Sequence, residues 1–511
     1  MAPQARTTAG KILHNSFWYG LETVLETVIF LGTSIAVARY LGPEKMGAFS
    51  YINFFVITVT RTSGTGLASA TRKYMSEFLA LDQPGVAHSV YHLAYRYQLL
   101  GAIFITVLGL LGIFLFGDPH YKVMSYILIL AIIPGVMSWV PAQANNAFED
   151  VYPNTLSAVG YLIAYGIVIG LTLYLHWDLT GIACATLIGR SVEVVLRTIP
   201  VNRKLRKLPL DKLPREVIDR IRRYCFQAMG IQLLMSVVWD RSEMLFLHHF
   251  SGNEQIAFYS VSFGLADKLL LIPRTFGAAT GISLMVESGR DPGRVDSIVK
   301  NACRYLLLVA FPVHLGAAAI ASRAVALAYG SKYTPAIPVM IVAALLAMPR
   351  AFQEVSEVLM RAADRQKQLL TWLSITGAVN ILLDWYLIPR YGAVGAAWGN
   401  GLSQTFGIIV VWQQARRIYT FNFPVQPALR LFSAAFLMAG LAYYISRSLP
   451  GLPGLVIAIG FAIPTYLGLV KLFRGLEPSD RARLAPIGER LPGAVRRTYL
   501  SVISFVTPAT S

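Results

Sequence analysis

The sequence predicts an all-α polytopic membrane protein: about fourteen transmembrane helices in two six-helix bundles related by a parallel repeat, two further C-terminal helices, and both termini cytoplasmic. Three observations predict it. Apolar residues make up 55% of the 511 and charged residues only 14%, with a mean hydropathy of +0.54, whereas an average soluble chain carries roughly 25% charged residues. Fourteen stretches are long and apolar enough to cross a hydrocarbon core about 30 Å thick. Finally, residues 37–51, VARYLGPEKMGAFSY, return 210 positions later as LHHFSGNEQIAFYSV at 247–261.

The first seven expected spans are 17–40, 47–70, 97–117, 122–146, 156–175, 180–200 and 224–250, and the second seven are 257–285, 302–321, 336–360, 369–388, 392–412, 428–446 and 452–474. Lys and Arg concentrate in cytoplasmic loops, so their distribution tests the count. With the N-terminus inside, the cytoplasmic segments carry 31 basic residues and the outer loops 6, namely Lys45, Lys122, Arg323, Lys332, Arg390 and Arg447. The asymmetry also accounts for the net charge of +18: basic loops orient the chain and meet anionic headgroups, so nucleic-acid binding is unnecessary. The first apolar run contains Glu22 and Glu26 and has no small-residue cleavage site, so it reads as a retained helix rather than a removed signal peptide. Cys184, Cys225 and Cys303 have no disulfide or zinc spacing and read as inert thiols.

The repeat sets the organisation. Gly42 falls on Gly252, Glu44 on Glu254, Phe49 on Tyr259 and Ser50 on Ser260, and the same offset pairs Gly20 with Gly230, Thr65 with Thr275 and Ala68 with Ala278. An offset of six spans is even, so the copies share an orientation and are related by an axis along the membrane normal. HWDLTGIACA at 176–185 repeats in the same sense as PRYGAVGAAW at 389–398, with Gly181 on Gly395 and Ala183 on Ala397. The expected divisions are an N-lobe at 1–201, a basic connector at 202–223, a C-lobe at 224–420, two added helices at 421–474 and a basic tail at 475–511. The repeated loops, 41–47 and 251–257, both fall outside, which makes Gly42 and Gly252 hinge candidates.

Charges within the spans carry the functional argument, because each costs several kcal/mol unless it meets water or a partner. Glu22 and Glu26 stand one turn apart in the first span, and Arg61 lies in the second. The seventh carries Trp239, Asp240, Arg241 and Glu243, and the eighth carries Asp267, Lys268 and Arg274. The tenth shows Arg350, Glu354, Glu357 and Arg361 on one face. Arg190, Glu193 and Arg197 share a face near the inner end of the sixth and read as snorkelling side chains, and Asp384 sits near the outer end of the eleventh. The expectation is a water-filled cavity of mixed charge, in which arginines hold phosphate, carboxylates accept from sugar hydroxyls or take a coupling ion, and Trp18, Tyr19, Trp239 and Tyr259 stack on sugar rings.

Five stretches carry a family resemblance: VARYLGPEKMGAFS, HFSGNEQIAFYSV, LAYGSKYTPAIPVM at 327–340, LMRAADRQKQL at 359–369 and IPRYGAVGAAWGNGLSQ at 388–404. Over residues 10–475 the chain resembles the polysaccharide-biosynthesis, O-antigen-type flippases of the multidrug/oligosaccharidyl-lipid/polysaccharide (MOP) exporter superfamily. The resemblance implies a multi-pass protein of the bacterial inner membrane that moves an undecaprenyl-diphosphate-linked oligosaccharide to the outer leaflet by alternating access. It implies no catalysis and no cofactor, coupling to a proton or sodium gradient or to the membrane potential, and partners in the polysaccharide polymerase and chain-length machinery. The alternatives are an ion-coupled small-molecule or multidrug exporter, a lipid II flippase, and a polytopic glycosyltransferase or ligase. Multidrug exporters of the superfamily usually have twelve helices. Lipid II flippases carry arginines on the first helix where this chain has glutamates, and the longest expected outer loop, 322–335, offers a transferase no acidic residue.

Weaker signals have plain readings. His88 and His92 stand at i, i+4 without a carboxylate and read as surface residues; no metal site is expected. GTGLAS at 64–69 has no preceding strand and reads as helix packing, as do the glycine pairs 166/170, 277/281 and 395/399. Pro134, Pro141, Pro273, Pro312 and Pro349 are expected to kink helices.

Overall fold

Apolar chain in a membrane must satisfy its own amides, and helix does so within a single segment. The structure, a computed structural model, describes residues 8–239, 242–271, 273, 281, 284, 292–489 and 493–507; among these the regular structure is helical, with no strand. Ten stretches of the described residues are long and apolar enough to cross a membrane. The chain packs as two compact units, Met1–His248 and His249–Ser511.

In the first unit α1 (Thr8–Ala80) is followed after three residues by α2 (Pro84–Phe116), so the expected cytoplasmic loop at 71–96 is almost wholly helix. The fourth expected span is three short helices, α3 (Lys122–Leu130), α4 (Ile132–Met137) and α5 (Trp139–Ala147), with breaks at Ala131 and Ser138 on either side of Pro134. Next come α6 (Tyr152–Leu175) and α7 (Asp178–Leu205), and then α8 (Arg215–Trp239), which leaves only 206–214 of the expected connector non-helical. Within the expected span 224–250 the described residues form α8 up to Trp239 and α9 (Glu243–Phe250). GTGLAS packs as expected, with Gly64 against the Trp139 indole and Gly66 against Met229 and the Cys225 carbonyl.

The second unit contains α10 (Asn253–Leu269), α11 (Val295–Tyr329), α12 (Ala336–Ala347), α13 (Gln353–Ala362) and α14 (Gln366–Ile418). Behind them stand α15 (Val425–Ser448) and α16 (Gly451–Leu472), which pack on each other and on α11. The continuation of α11 to Tyr329 reduces the outer loop expected at 322–335 to a few residues. The tail also exceeds expectation. It forms α17 (Pro478–Glu489) and α18 (Gly493–Val506), fixed by the buried Asp480, which accepts from Arg304 Nη2 at 2.6 Å and Tyr305 OH at 2.7 Å.

The duplication is visible in the backbone. Gly42 has φ 73°, ψ 174° and Gly252 has φ 83°, ψ 177°, a region essentially reserved for glycine. Each expected loop shrinks to a break at that glycine, within α1 in the first unit and just before α10 in the second. The offset that carries Gly181 to Gly395 carries Asp178, φ 53°, to Gly392, φ 54°. Lys45 and Gln255, paired by the 210-residue offset, then do equivalent jobs. Lys45 makes an ion pair with Asp178, and Gln255 Oε1 accepts from the Ala393 amide at 2.9 Å. Each unit thus has a clasp joining its first glycine break to a later turn, that between α6 and α7 in the first unit and that within α14 in the second.

Candidate functional site

The first unit concentrates its buried polarity between α1, α5, α6 and α7. Glu193 accepts from Arg190 at 2.7 Å and from Arg197 at 2.8 Å, while Arg197 also donates to Ser157 Oγ at 2.9 Å. The spacing i−3, i, i+4 puts both guanidiniums on the carboxylate, so the expected snorkelling is wrong: Glu193 is buried and holds the arginines in. Arg190 lies over the Tyr161 ring at 4.7 Å. Asn154 extends the network, donating to the Ala142 carbonyl and to Asn146, each at 3.0 Å. On α1, Phe30 packs on Tyr161 and Tyr165 and Trp18 on Tyr152, at 4.9 Å. Glu26, one turn from Phe30 on the same stripe, comes within electrostatic reach of Arg190 and Tyr161.

The second unit buries a different set. On α14, Asn380 Nδ2 donates to Asp384 at 3.0 Å, Ser403 Oγ donates to Asn380 at 2.6 Å and Gln404 Nε2 donates to Asn400 at 2.9 Å. All five side chains are buried, Asp384 completely. The helix folds back at Gly392, and Gly399 permits the contact: a Cβ there would stand 2.5 Å from Asp384 Oδ1. Asn400 and Gln404 also line a narrow pocket together with Asp267 and Arg350. Asp384 thus accepts from the Asn380 amide, whose own oxygen accepts from Ser403, so the cluster is a chain of hydrogen bonds ending on a buried carboxylate.

The expected site residues fall out unevenly. Arg350 is displaced from the face of Glu354, Glu357 and Arg361 because residues Met348–Phe352 form a 3₁₀ turn. It faces Asp267 at 3.8 Å, whereas Glu354 and Glu357 each take Arg361 at 3.0 Å, an internal network. Glu243 is buried in the first turn of α9; Arg61 and Lys268 are exposed on α1 and α10. Tyr259 is fully buried beside Phe263 at 5.5 Å, so it is core rather than a sugar platform. Asp240, Arg241, Arg274 and Gly277 lie outside the described residues, as do the side chains of Tyr19, Glu22 and Trp239. Gly395 and Gly399 are packing glycines as expected, but Gly166 and Gly170 face open space. Among the described residues no three His, Cys, Asp or Glu side chains converge on a metal position.

The sequence left the helix-7 triad and the α14 cluster out of the site, although both had a signal: polar residues at i, i+3 and i+4 inside apolar runs. The asparagines of α5 and α6 gave none, being neutral and scattered.

Residues 36–338, more than half of the chain, match the family described as polysaccharide biosynthesis protein. The chain belongs to that family. Among curated proteins none is close enough to match. Among solved structures this family member is similar to the lipid II flippase MurJ in an inward closed conformation, with a TM-score of 0.72 and 16% identity over 89% of this chain and 98% of that one. It is also similar to an inward-facing multidrug resistance MATE transporter of the MOP superfamily, at 0.64 and 16% over 76% and 94%. A MOP superfamily transporter from Pyrococcus furiosus follows at 0.55 and 15% over 80% and 95%. At these identities the likeness shows the fold, that of MOP transporters, and the resemblance carried by the motifs holds.

Proposed function

We propose that this chain flips a polyprenyl-diphosphate-linked oligosaccharide across the bacterial inner membrane for surface polysaccharide assembly, by alternating access and without covalent chemistry. The observation that carries the reading is membership of the polysaccharide biosynthesis family joined to a transporter fold similar to that of a lipid II flippase. Its substrate joins an anionic diphosphate to hydroxyl-rich sugars and a polyprenyl tail, a chemistry served by arginines, carboxylates and an apolar face. The larger share of the chain covered by the flippase than by the MATE transporter, 89% against 76%, favours a lipid-linked substrate over a small drug.

Coupling to an ion gradient belongs to the same reading, and buried Asp384 is the group on which a proton or sodium ion would act. The polymerase and chain-length machinery are the proposed downstream partners. Deleting the gene is expected to leave lipid-linked repeat units on the cytoplasmic leaflet. If they still reach the outer leaflet at the parental rate, the flippase reading fails. Uptake of a fluorescent cation into inverted vesicles, abolished by the deletion, would establish the exporter instead.

A further inference from the structure

We propose that His88 and His92 form a chelating site for a cation of the Cu(II) or Ni(II) class at the polar start of α2, and that the site is tied through His88 to the segment 206–214.

The pair does not behave as two surface histidines. Their Nε2 atoms lie 3.0 Å apart. His88 is buried, and its Nδ1 stands 2.9 Å from the Pro209 carbonyl. A carbonyl only accepts, so Nδ1 carries the proton and the lone pair on Nε2 points at His92. A metal-ligating histidine is usually oriented in this way, its second nitrogen donating to a carbonyl or carboxylate. His92 is exposed, so the remaining coordination positions would be open to water.

The spacing selects the cation. With metal–nitrogen bonds of about 2.0–2.1 Å, two nitrogens 3.0 Å apart subtend about 95° at the metal, whereas a tetrahedral angle would set them about 3.3 Å apart. A right-angled pair matches neighbouring positions of a tetragonal or octahedral shell, and imidazole ligands favour Cu(II) and Ni(II) there. Calcium and magnesium, which take oxygen ligands, are not served.

Occupancy would reach the chain between α7 and α8. That segment is docked on the first turns of α2 by the Pro209 contact, by Ser89 Oγ donating to the Asp211 carbonyl and by the Asp211 amide donating to the Gly85 carbonyl at 3.3 Å. A metal on Nε2 fixes the His88 ring and tautomer, and with them the bond to Pro209.

The test is titration of Cu(II) into the full-length protein in detergent, with any polyhistidine tag removed, followed by electron paramagnetic resonance. The expected result is one tightly held ion with two imidazole nitrogens, and an affinity at least about tenfold lower in His92→Ala and in His88→Ala. His120→Ala, at an exposed histidine that pairs with Asp118, is expected to bind like the parent. Metal is also expected to slow amide exchange in 206–214 in the parent but not in His92→Ala, a variant at an exposed position that leaves the Pro209 bond in place. No stoichiometric binding, a single-imidazole signal, or equal affinity in His92→Ala would overturn the site; binding without slower exchange would overturn its link to the segment.

Discussion

The two units carry polar clusters on corresponding helices and build them from different chemistry. The offset that takes Gly181 to Gly395 takes Thr186 to Asn400, Gly189 to Ser403 and Arg190 to Gln404. In the first unit two arginines close on Glu193, a cluster of two cations on one anion. In the second, the buried Asp384 carboxylate accepts from the Asn380 amide, which is held in turn by Ser403. The difference teaches that one duplicated framework can hold an ion network in one copy and a carboxylate bonded to neutral side chains in the other.

The largest expected effect tests the structural half. Glu193→Gln leaves two arginines facing each other in a buried site, and breaking a buried pair costs about 3–5 kcal/mol. The folded protein recovered from membranes should fall sharply and its thermal unfolding in detergent should move down. Replacing the whole triad with apolar residues, Arg190→Met with Glu193→Leu and Arg197→Met, should restore much of the folding, since the triad then leaves none of its own charges stranded. If that triple variant folds but does not export, the arginines serve transport and the contrast between the units collapses.

Much of this was legible in the sequence, and the limits have physical causes. The apolar runs and the placement of Lys and Arg report on water and lipid, so they identify helices well. The glycine breaks were legible because only glycine tolerates the backbone at Gly42 and Gly252, and the repeat preserves it. Partnership was not legible: periodicity puts Arg350 with Glu354, but the 3₁₀ turn at Met348–Phe352 rotates it toward Asp267. Nor was the fold-back of α14, which brings Ser403 to Asn380 across 23 residues.

The next effect addresses the second unit. Asp384→Asn keeps the shape and removes the charge, so export should fall by about 5- to 150-fold, the range of ordinary coupling between two ligands, with the amount of folded protein unchanged. Gly399→Ala should act in the same direction by displacing the carboxylate, because its new methyl group would collide with Oδ1. Export by Asp384→Asn at the parental rate would mean that the cluster is as structural as its counterpart.

Smaller again are the glycine breaks, where the two units are alike. A Cβ at Gly42 or Gly252 would meet no atom within 4 Å, so the main cost of Gly42→Val and Gly252→Val is the backbone, about 1–3 kcal/mol each. Both should slow export more than they weaken binding of lipid-linked substrate to the purified protein. Parental export in both variants would remove the hinge assignment.

The clasps give the smallest effects and the cleanest contrast. Lys45 and Asp178 are both about half exposed, and an exposed pair contributes roughly 0.2–1 kcal/mol and weakens with salt. Gln255 instead accepts from a partly buried backbone amide, a neutral bond of about 0.5–1.5 kcal/mol that salt scarcely touches. Lys45→Ala should therefore speed amide exchange around Asp178 in dilute buffer and have little further effect in 1 M salt, where the Debye length is about 3 Å. Gln255→Ala should speed exchange at Ala393 equally in both. A salt response at Ala393 as large as that at Asp178 would show that the copies close these turns by the same force, and the difference between the units would then lie in their buried clusters alone.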